Sequence, residues 1–144
     1  MNLPPPGIIW ASLPVPALLI GPDNLVREIN PAAEQFLNVS ARSLRNAPVL
    51  DRLSIDADMD DVFARVRINQ AALFINDVDV TTGERAPVQC TIQVAPIQDA
   101  PTTLLMLISP REIADRLGRA SGVKTAARSA IGMAEMLAHE IKNP

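Results

Sequence analysis

Aromatic, cysteine and histidine residues are scarce in this chain. Its 144 residues include no tyrosine, one tryptophan and three phenylalanines, so few side chains are available to stack on a ring cofactor. A single cysteine, Cys90, excludes an internal disulfide bond. With His139 as the only histidine, a zinc site of ordinary ligand composition is also excluded.

Charge and apolar runs exclude further classes of protein. The net charge is −3, with no basic run and no interleaving of basic and aromatic residues, so we expect no direct nucleic-acid binding. No apolar run reaches the length of a membrane span, and no basic residue precedes the first apolar stretch as in a secretory signal. We therefore expect a protein without membrane association, located in the cytoplasm, where an unpaired cysteine is compatible with the reducing conditions.

The last twenty or so residues have the pattern of an amphipathic helix. At roughly 100° per residue, their apolar side chains fall on one arc about 160° wide, which is typical of a bundle helix rather than a narrow two-stranded seam. This arc contains Val123, Ala126, Ala127, Ala130, Ile131, Met133, Ala134, Leu137, Ala138 and Ile141. Such a face must be covered, which predicts a homodimer and, in a longer protein, a four-helix bundle.

His139 lies off that apolar arc, about 140° from its centre, so the helix would present the imidazole to solvent. An exposed neutral imidazole with a free nitrogen lone pair is a suitable nucleophile toward phosphorus. Glu140 is placed to accept a proton from the ring, and Asn143, one turn later, to orient a water molecule. Pro144 weakens or bends the helix there. The same geometry also suits an exposed histidine with no chemical role.

The sequence around His139 resembles that of a known family. The run His139-Glu140-Ile141-Lys142-Asn143-Pro144 resembles the phosphoacceptor box of dimeric sensor histidine kinases, and residues 126–138 resemble the nitrogen-regulation, NtrB-type branch. A zinc-protease helix would need a second histidine where Asn143 stands. The resemblance implies that His139 accepts the phosphoryl group, Glu140 assists the transfer and Asn143 supports dephosphorylation of the response regulator.

The preceding residues predict an α+β fold with a five-stranded antiparallel sheet and helices on one side. Strands are expected at 17–20, 25–29, 73–80, 87–97 and 103–109, a helix from Asn30-Pro31 onward, short helical pieces between Ser40 and Leu53, and a helix over 58–72. This order, with Asn30-Pro31-Ala32-Ala33-Glu34 after the second strand, resembles a PAS domain.

Three segments follow from these patterns. Residues 1–13 form a proline-rich arm or short helix, residues 14–110 the PAS sensor domain, and residues 111–144 a linker helix and the beginning of the phosphoacceptor helix. Gly118 and Gly122 weaken the linker helix, which suits either signal relay or simple fraying. Because the chain stops inside a box that lies within a longer segment in the family, we expect a fragment of a larger protein.

A bound cofactor is not expected in the PAS-like part. It contains no histidine to ligate haem, which leaves a methionine as the alternative ligand, and Cys90 lies in an alternating strand rather than in a helix beside a flavin. Cys90 and its apolar neighbours are therefore interpreted as core side chains, with dimerisation or protein contact as the work of the domain.

Two functions fit these observations. In the first, which the resemblance implies, the chain is the sensory and dimerisation portion of a two-component histidine kinase that controls nitrogen-responsive transcription. ATP and Mg would act in the full-length kinase, with an NtrC-type response regulator and a PII-type signal protein as partners. This chain has no glycine-rich nucleotide loop and would not be active alone. In the second, it is a stand-alone PAS dimerisation module in which His139 is incidental.

Overall fold

The structure is a computed structural model that describes residues 3–111. The linker helix and phosphoacceptor helix were predicted for residues 111–144, which lie outside the described residues except for Arg111. Within the described range the elements are α1 (Pro6–Ser12), β1 (Ala17–Ile20), β2 (Val26–Ile29), α2 (Pro31–Leu37), α3 (Ala41–Leu44), a 3-10 turn (Val49–Asp51), β3 (Leu53–Ile55), α4 (Met59–Asn69), β4 (Leu73–Thr82), β5 (Val88–Ile97) and β6 (Ala100–Pro110).

The strands of residues 3–111 form one antiparallel sheet with the order β2-β1-β6-β5-β4-β3. Strand β1 pairs with β2 through a tight connection and with β6, the last strand of the described range. The register places Ala17 opposite Leu107 and Ile20 opposite Leu104. The point where the chain enters the sheet and the point where it leaves therefore lie at the same end.

The prediction of five strands was wrong, because residues 3–111 contain six. The missed strand is β3, where Leu53 and Ile55 are buried and Ser54 is exposed. Only three residues long, it is defined by pairing with Thr82 and Val80 of β4, which are distant in sequence. For the same reason β4 continues through Thr82, two residues beyond its predicted end at residue 80.

Local side-chain chemistry sets the helix boundaries, in part as predicted. Asn30 caps α2 by accepting a hydrogen bond from Ala33 N at 2.9 Å, and Pro31 occupies the first helical position. Asp58 caps α4 in the same way, accepting from Asp61 N at 3.2 Å. Helix α4 ends at Asn69, and Gln70 follows in the left-handed conformation with φ 52°.

One hydrophobic core joins α2, α3 and α4 to the inner face of the sheet. Its largest fully buried side chains include Phe63, Leu18, Ile20, Leu44, Met59, Ile92, Leu104, Met106 and Ile108. Cys90, Ile92 and Val94 point inward along β5, which confirms the alternating strand, but Val88, two residues before Cys90 in the same alternation, is 36% exposed. Val88 is the first residue of the strand and follows the exposed 83–87 connection, so its side chain is only partly covered.

The helices between residues 3 and 111 are too short or too polar to cross a membrane.

Candidate functional site

The predicted site residues His139, Glu140 and Asn143 lie outside the described residues. Their mutual geometry therefore stays a prediction from the sequence. Within the domain, Pro110 ends β6 and Arg111 begins the segment that leads toward them. The chemistry of the described part has to be sought in its interior, at the two ends of its sheet and on its surface.

Cys90 is a core side chain rather than a reactive thiol. It is only 2% exposed, and its Sγ lies 3.4 Å from Val88 O. Burial, and secondarily the charge of Asp79, raises the pKa of Cys90 to about 11. A thiol of this kind is protonated at neutral pH and is a poor nucleophile or metal ligand.

Asn30 is one of two buried polar residues among residues 3–111, the other being Thr82. Its Oδ1 accepts hydrogen bonds from Ala17 N and Ala33 N, both at 2.9 Å. Its Nδ2 donates to Val15 O at 2.9 Å and to Leu13 O at 3.4 Å. The amide thus uses both its donors and its acceptor, as a buried polar group must.

These bonds place Asn30 at the end of the sheet where the chain enters and leaves. Its backbone N–H donates to Ala17 O at 3.1 Å, and Ile108 N of β6 donates to Pro16 O at 3.0 Å. The segment before β1 is thereby held between Asn30 and the last residues of β6. From the sequence Asn30 was identified as a helix cap only, since its bonds to Leu13 and Val15 depend on tertiary structure.

Arg67 holds the opposite end of the sheet, and no sequence pattern singled it out. Its Nη2 donates to Gly21 O at 3.0 Å and its Nε to Thr102 O at 2.9 Å. Gln70 adds a bond from Nε2 to Pro101 O at 3.0 Å. Burial lowers the pKa of Arg67, and the charge of Asp23 partly offsets this. The carboxyl end of α4 is thus fixed to the β1–β2 turn and to the start of β6.

Asp23 and Arg27 form an ion pair in the β1–β2 connection. Arg27 Nη2 lies 2.9 Å from Asp23 Oδ2, and Leu25 N donates to Asp23 Oδ1 at 3.1 Å. The hydrogen bond from Arg27, followed by that from Leu25, lowers the pKa of Asp23. Both side chains are well exposed, so the pair organises the turn rather than a reaction centre.

Two of the depressions on the surface of the described residues are shallow and open to solvent. One, of about 300 Å³, lies beside β3 and is lined by Leu50, Asp51, Arg52, Leu53, Ser54, Thr81 and Gly83. The other, of about 560 Å³, lies at the end of α2 and is lined by Pro31, Glu34, Gln35, Asn38, Val39 and Ser40. Neither contains a histidine, and no group of three potential metal ligands occurs in residues 3–111.

Sequence comparison finds close relatives, although no family model matches the chain. The sensory histidine kinase/phosphatase NtrB of Rhodobacter capsulatus is 71% identical over 144 residues, all of this chain and 41% of the relative. NtrB of Rhizobium meliloti is 31% identical over 130 residues, 90% of this chain and 34% of the relative. The chain thus spans about two fifths or less of the length of these relatives.

Comparison with solved structures shows the fold. The PAS domain of nitrogen regulation protein NR(II) from Vibrio parahaemolyticus superposes with a TM-score of 0.66, covering 75% of this chain and 99% of that one at 19% identity. The PAS domain of a LuxR-family transcriptional regulator from Burkholderia thailandensis gives 0.58 at 8% identity, covering 76% and 99%. The expectation of a PAS fold is confirmed, with six strands instead of five. Over its whole length, the chain thus matches the amino-terminal, PAS-containing portion of NtrB proteins.

Proposed function

We propose that this chain is the sensory and dimerisation portion of a two-component sensor histidine kinase that controls nitrogen-responsive transcription. The observation that carries the proposal is 71% identity to an NtrB protein over all 144 residues, a span that includes His139 and the box that follows it. The PAS fold of residues 3–111 supports a sensory role for the part that precedes the box.

In this proposal His139 is the phosphoacceptor. A ring nitrogen of neutral His139 attacks the γ-phosphorus of ATP, the bond to the β–γ bridging oxygen breaks, and ADP leaves with the electron pair. Glu140 accepts the proton that the other ring nitrogen loses, which keeps the phosphorylated imidazole neutral. The phosphoryl group then passes to an aspartate of an NtrC-type response regulator, and Asn143 supports later dephosphorylation of that regulator by orienting water.

The remaining components lie outside this chain. ATP and Mg are bound by a catalytic domain of the full-length kinase, so the chain by itself is inactive. It forms a homodimer through its carboxy-terminal segment, and a PII-type signal protein controls the kinase. We place the protein in the cytoplasm, without direct contact to nucleic acid or membrane.

The described domain contributes protein contact and no cofactor chemistry in this proposal. Its inward-facing side chains are apolar and fill the core. Of its two buried polar residues, Asn30 caps α2 and bonds to Ala17 N, and Thr82 lies in β4 opposite Leu53. Cys90, with its pKa raised to about 11, would remain a protonated thiol at the pH of the cell.

Acid-labile phosphate tests the role of His139. The chain, extended through the second helix of its bundle, is incubated with radiolabelled ATP, Mg and a separate kinase catalytic domain. We expect label that acid removes, loss of the label in His139→Gln, and retention in the control Lys142→Gln, which changes a neighbouring residue on the same predicted face. Asn143→Ala should keep the label but slow dephosphorylation of the phosphorylated regulator.

Two results would contradict the proposal. Label that survives in His139→Gln would place the phosphoacceptor elsewhere. No label in any variant, with a catalytic domain that phosphorylates another histidine kinase fragment, would favour the stand-alone PAS dimerisation module.

A further inference from the structure

We propose that residues 13–16, here called the strap, are a conformational coupler between the amino-terminal helix α1 and the end of β6. In the attached state seen here, Asn30 and Ile108 hold the strap by hydrogen bonds. Release of the strap would free the last residues of β6, directly before the segment that continues toward His139. Asn30 is the positioning residue that sets the balance between the two states.

The strap is held through its carbonyl groups. Leu13 O and Val15 O accept from Asn30 Nδ2 at 3.4 and 2.9 Å, and Pro16 O accepts from Ile108 N at 3.0 Å. Pro14 and Pro16 have no N–H, so they donate no hydrogen bond by which the sheet could hold the strap more firmly. Three acceptors and two donor groups therefore account for most of its polar attachment.

Helix α1 adds little to this attachment. None of its residues is buried, and Ile8 and Ile9 are 56% and 49% exposed. A helix of seven residues in which only Trp10 is half-buried has little packing to fix its position. A force or a partner acting on α1 is therefore resisted mainly within the strap, by the bonds to Asn30, by the Pro16–Ile108 bond and by the buried side chain of Pro16.

Attachment should be cooperative because Asn30 is completely buried. If the strap leaves, the Asn30 amide loses the partners of both its Nδ2 protons in a dry environment, which is costly. Breaking only one of the Asn30 hydrogen bonds costs free energy and gives the strap little added freedom. We therefore expect the strap to be attached or released as a unit. Release also removes Pro16 O, the acceptor of the Ile108 N–H. Ile108 itself makes no hydrogen bond with the Asn30 side chain.

This inference concerns regulation of the proposed kinase, but its structural part does not depend on phosphotransfer. The prediction of a coupled release is made for the chain itself and is measured without ATP. Failure of the phosphotransfer experiment would leave it intact. Conversely, independent behaviour of the strap and β6 would leave the phosphoacceptor role of His139 untouched.

Amide hydrogen exchange in the chain with Asn30→Asp tests the coupling. Aspartate keeps an oxygen for Ala17 N and Ala33 N and is a good helix cap, but it has no protons for Leu13 O and Val15 O. We expect exchange at Ile108 to accelerate roughly tenfold or more, as for loss of a hydrogen-bonded attachment. The amide of Val66, in the middle of α4, should be unchanged.

Asn46→Asp is the matched control. Asn46 is exposed, and its side chain meets Arg27 rather than the strap, so the same chemical change there should leave Ile108 exchange unaltered. Unchanged protection of Ile108 in folded Asn30→Asp would overturn the proposal.

A second measurement covers the case in which Asn30→Asp does not fold. In the unmodified chain, the amides of Ala17 and Ile108 should open with the same free energy and the same dependence on low denaturant concentrations. Local opening of Ala17 while Ile108 opens only with global unfolding would refute a shared release.

Discussion

The guanidinium of Arg27 occupies the space beside Gly21. A Cβ atom added to Gly21 would lie 2.7 Å from Arg27 Cζ and 2.8 Å from Arg27 Nε. The guanidinium is held there by Asp23, at 2.9 Å. Glycine at this position is therefore what allows Arg27 to fold back across the turn and pair with Asp23.

Gly21→Ala should displace Arg27 and raise the pKa of Asp23 toward its ordinary value of 3.8. A carboxyl whose pKa is lowered in the folded state stabilises the fold above its unfolded pKa, and the contribution is lost as pH falls through the lowered value. The variant should therefore lose less stability than the unmodified chain when acidified below about pH 4. An NMR titration of the Asp23 carboxyl carbon measures the pKa directly.

Gly7→Ala is the control for that titration, since no atom lies within 4 Å of a Cβ placed there. It should leave the pKa of Asp23 unchanged. An unaltered Asp23 pKa in Gly21→Ala would mean that Arg27 keeps its partner by another path.

Sequence reasoning at the scale of single residues reached local interactions and missed distant ones. The Asn30-Pro31 pair predicted a helix start, because a cap and its helix are adjacent in the chain, and the structure confirms it. The bonds from Asn30 to residues 13–17 and from Arg67 to Gly21 and Thr102 join residues far apart in sequence. No periodic pattern encodes such contacts, so the sequence could not indicate them.

Helix α4 is connected to the sheet by a clamp formed by Arg67, and this clamp is expected to contribute to stability. Arg67→Ala removes the donors to Gly21 O and Thr102 O, the first of which is partly buried. We expect a loss of about 1–2 kcal/mol in the free energy of unfolding, since water replaces the lost bonds only in part. Urea denaturation followed by circular dichroism measures it.

Arg65→Ala, two residues earlier on α4, is the matched control. Arg65 makes an exposed ion pair with Asp61 at 3.5 Å, with side chains 59% and 55% exposed, so its removal should cost less than about 0.5 kcal/mol. Because alanine is the better helix former, helix propensity predicts no loss in either variant. Equal losses in the two variants would show that removal of any arginine side chain from α4, rather than of the clamp, determines the effect of Arg67→Ala.

Whether the sequence could predict a helix or strand depended on the length of the element and on how close in sequence its partners lie. Strands β1 and β2 and helix α4 were predicted because apolar strand runs and a helical repeat lie within short stretches. Strand β3 was missed because three residues carry too little pattern, and its pairing partners Val80 and Thr82 come some 25 residues later. The change of register in β4 between Ile75 and Val78, where Asp77 has φ 57°, is likewise a property of the assembled sheet.

At the scale of the whole domain, the sheet order gives the two ends of β6 different surroundings. Near its end, β6 meets the strap through Ile108 and Pro16, and near its start it meets α4 through Thr102 and Arg67. The PAS-like order of elements could be predicted from the sequence. The position of β6 beside β1, which brings the entry and exit of the chain together, comes from long-range pairing.

The largest unpartnered apolar surface predicted for the chain is the arc on its carboxy-terminal helix, and we expect this arc to form the homodimer. Replacing both Ile131 and Leu137 with aspartate would bury two charges in the interface. The double variant should therefore sediment as a monomer at tens of micromolar, where the unmodified chain is a dimer, corresponding to a loss of several kcal/mol in association. Arg128→Gln, on the polar face, should remain dimeric. A monomeric unmodified chain would refute the prediction. A double variant that stays dimeric would show that the interface lies in the described domain, where Ile8 and Ile9 of α1 are exposed.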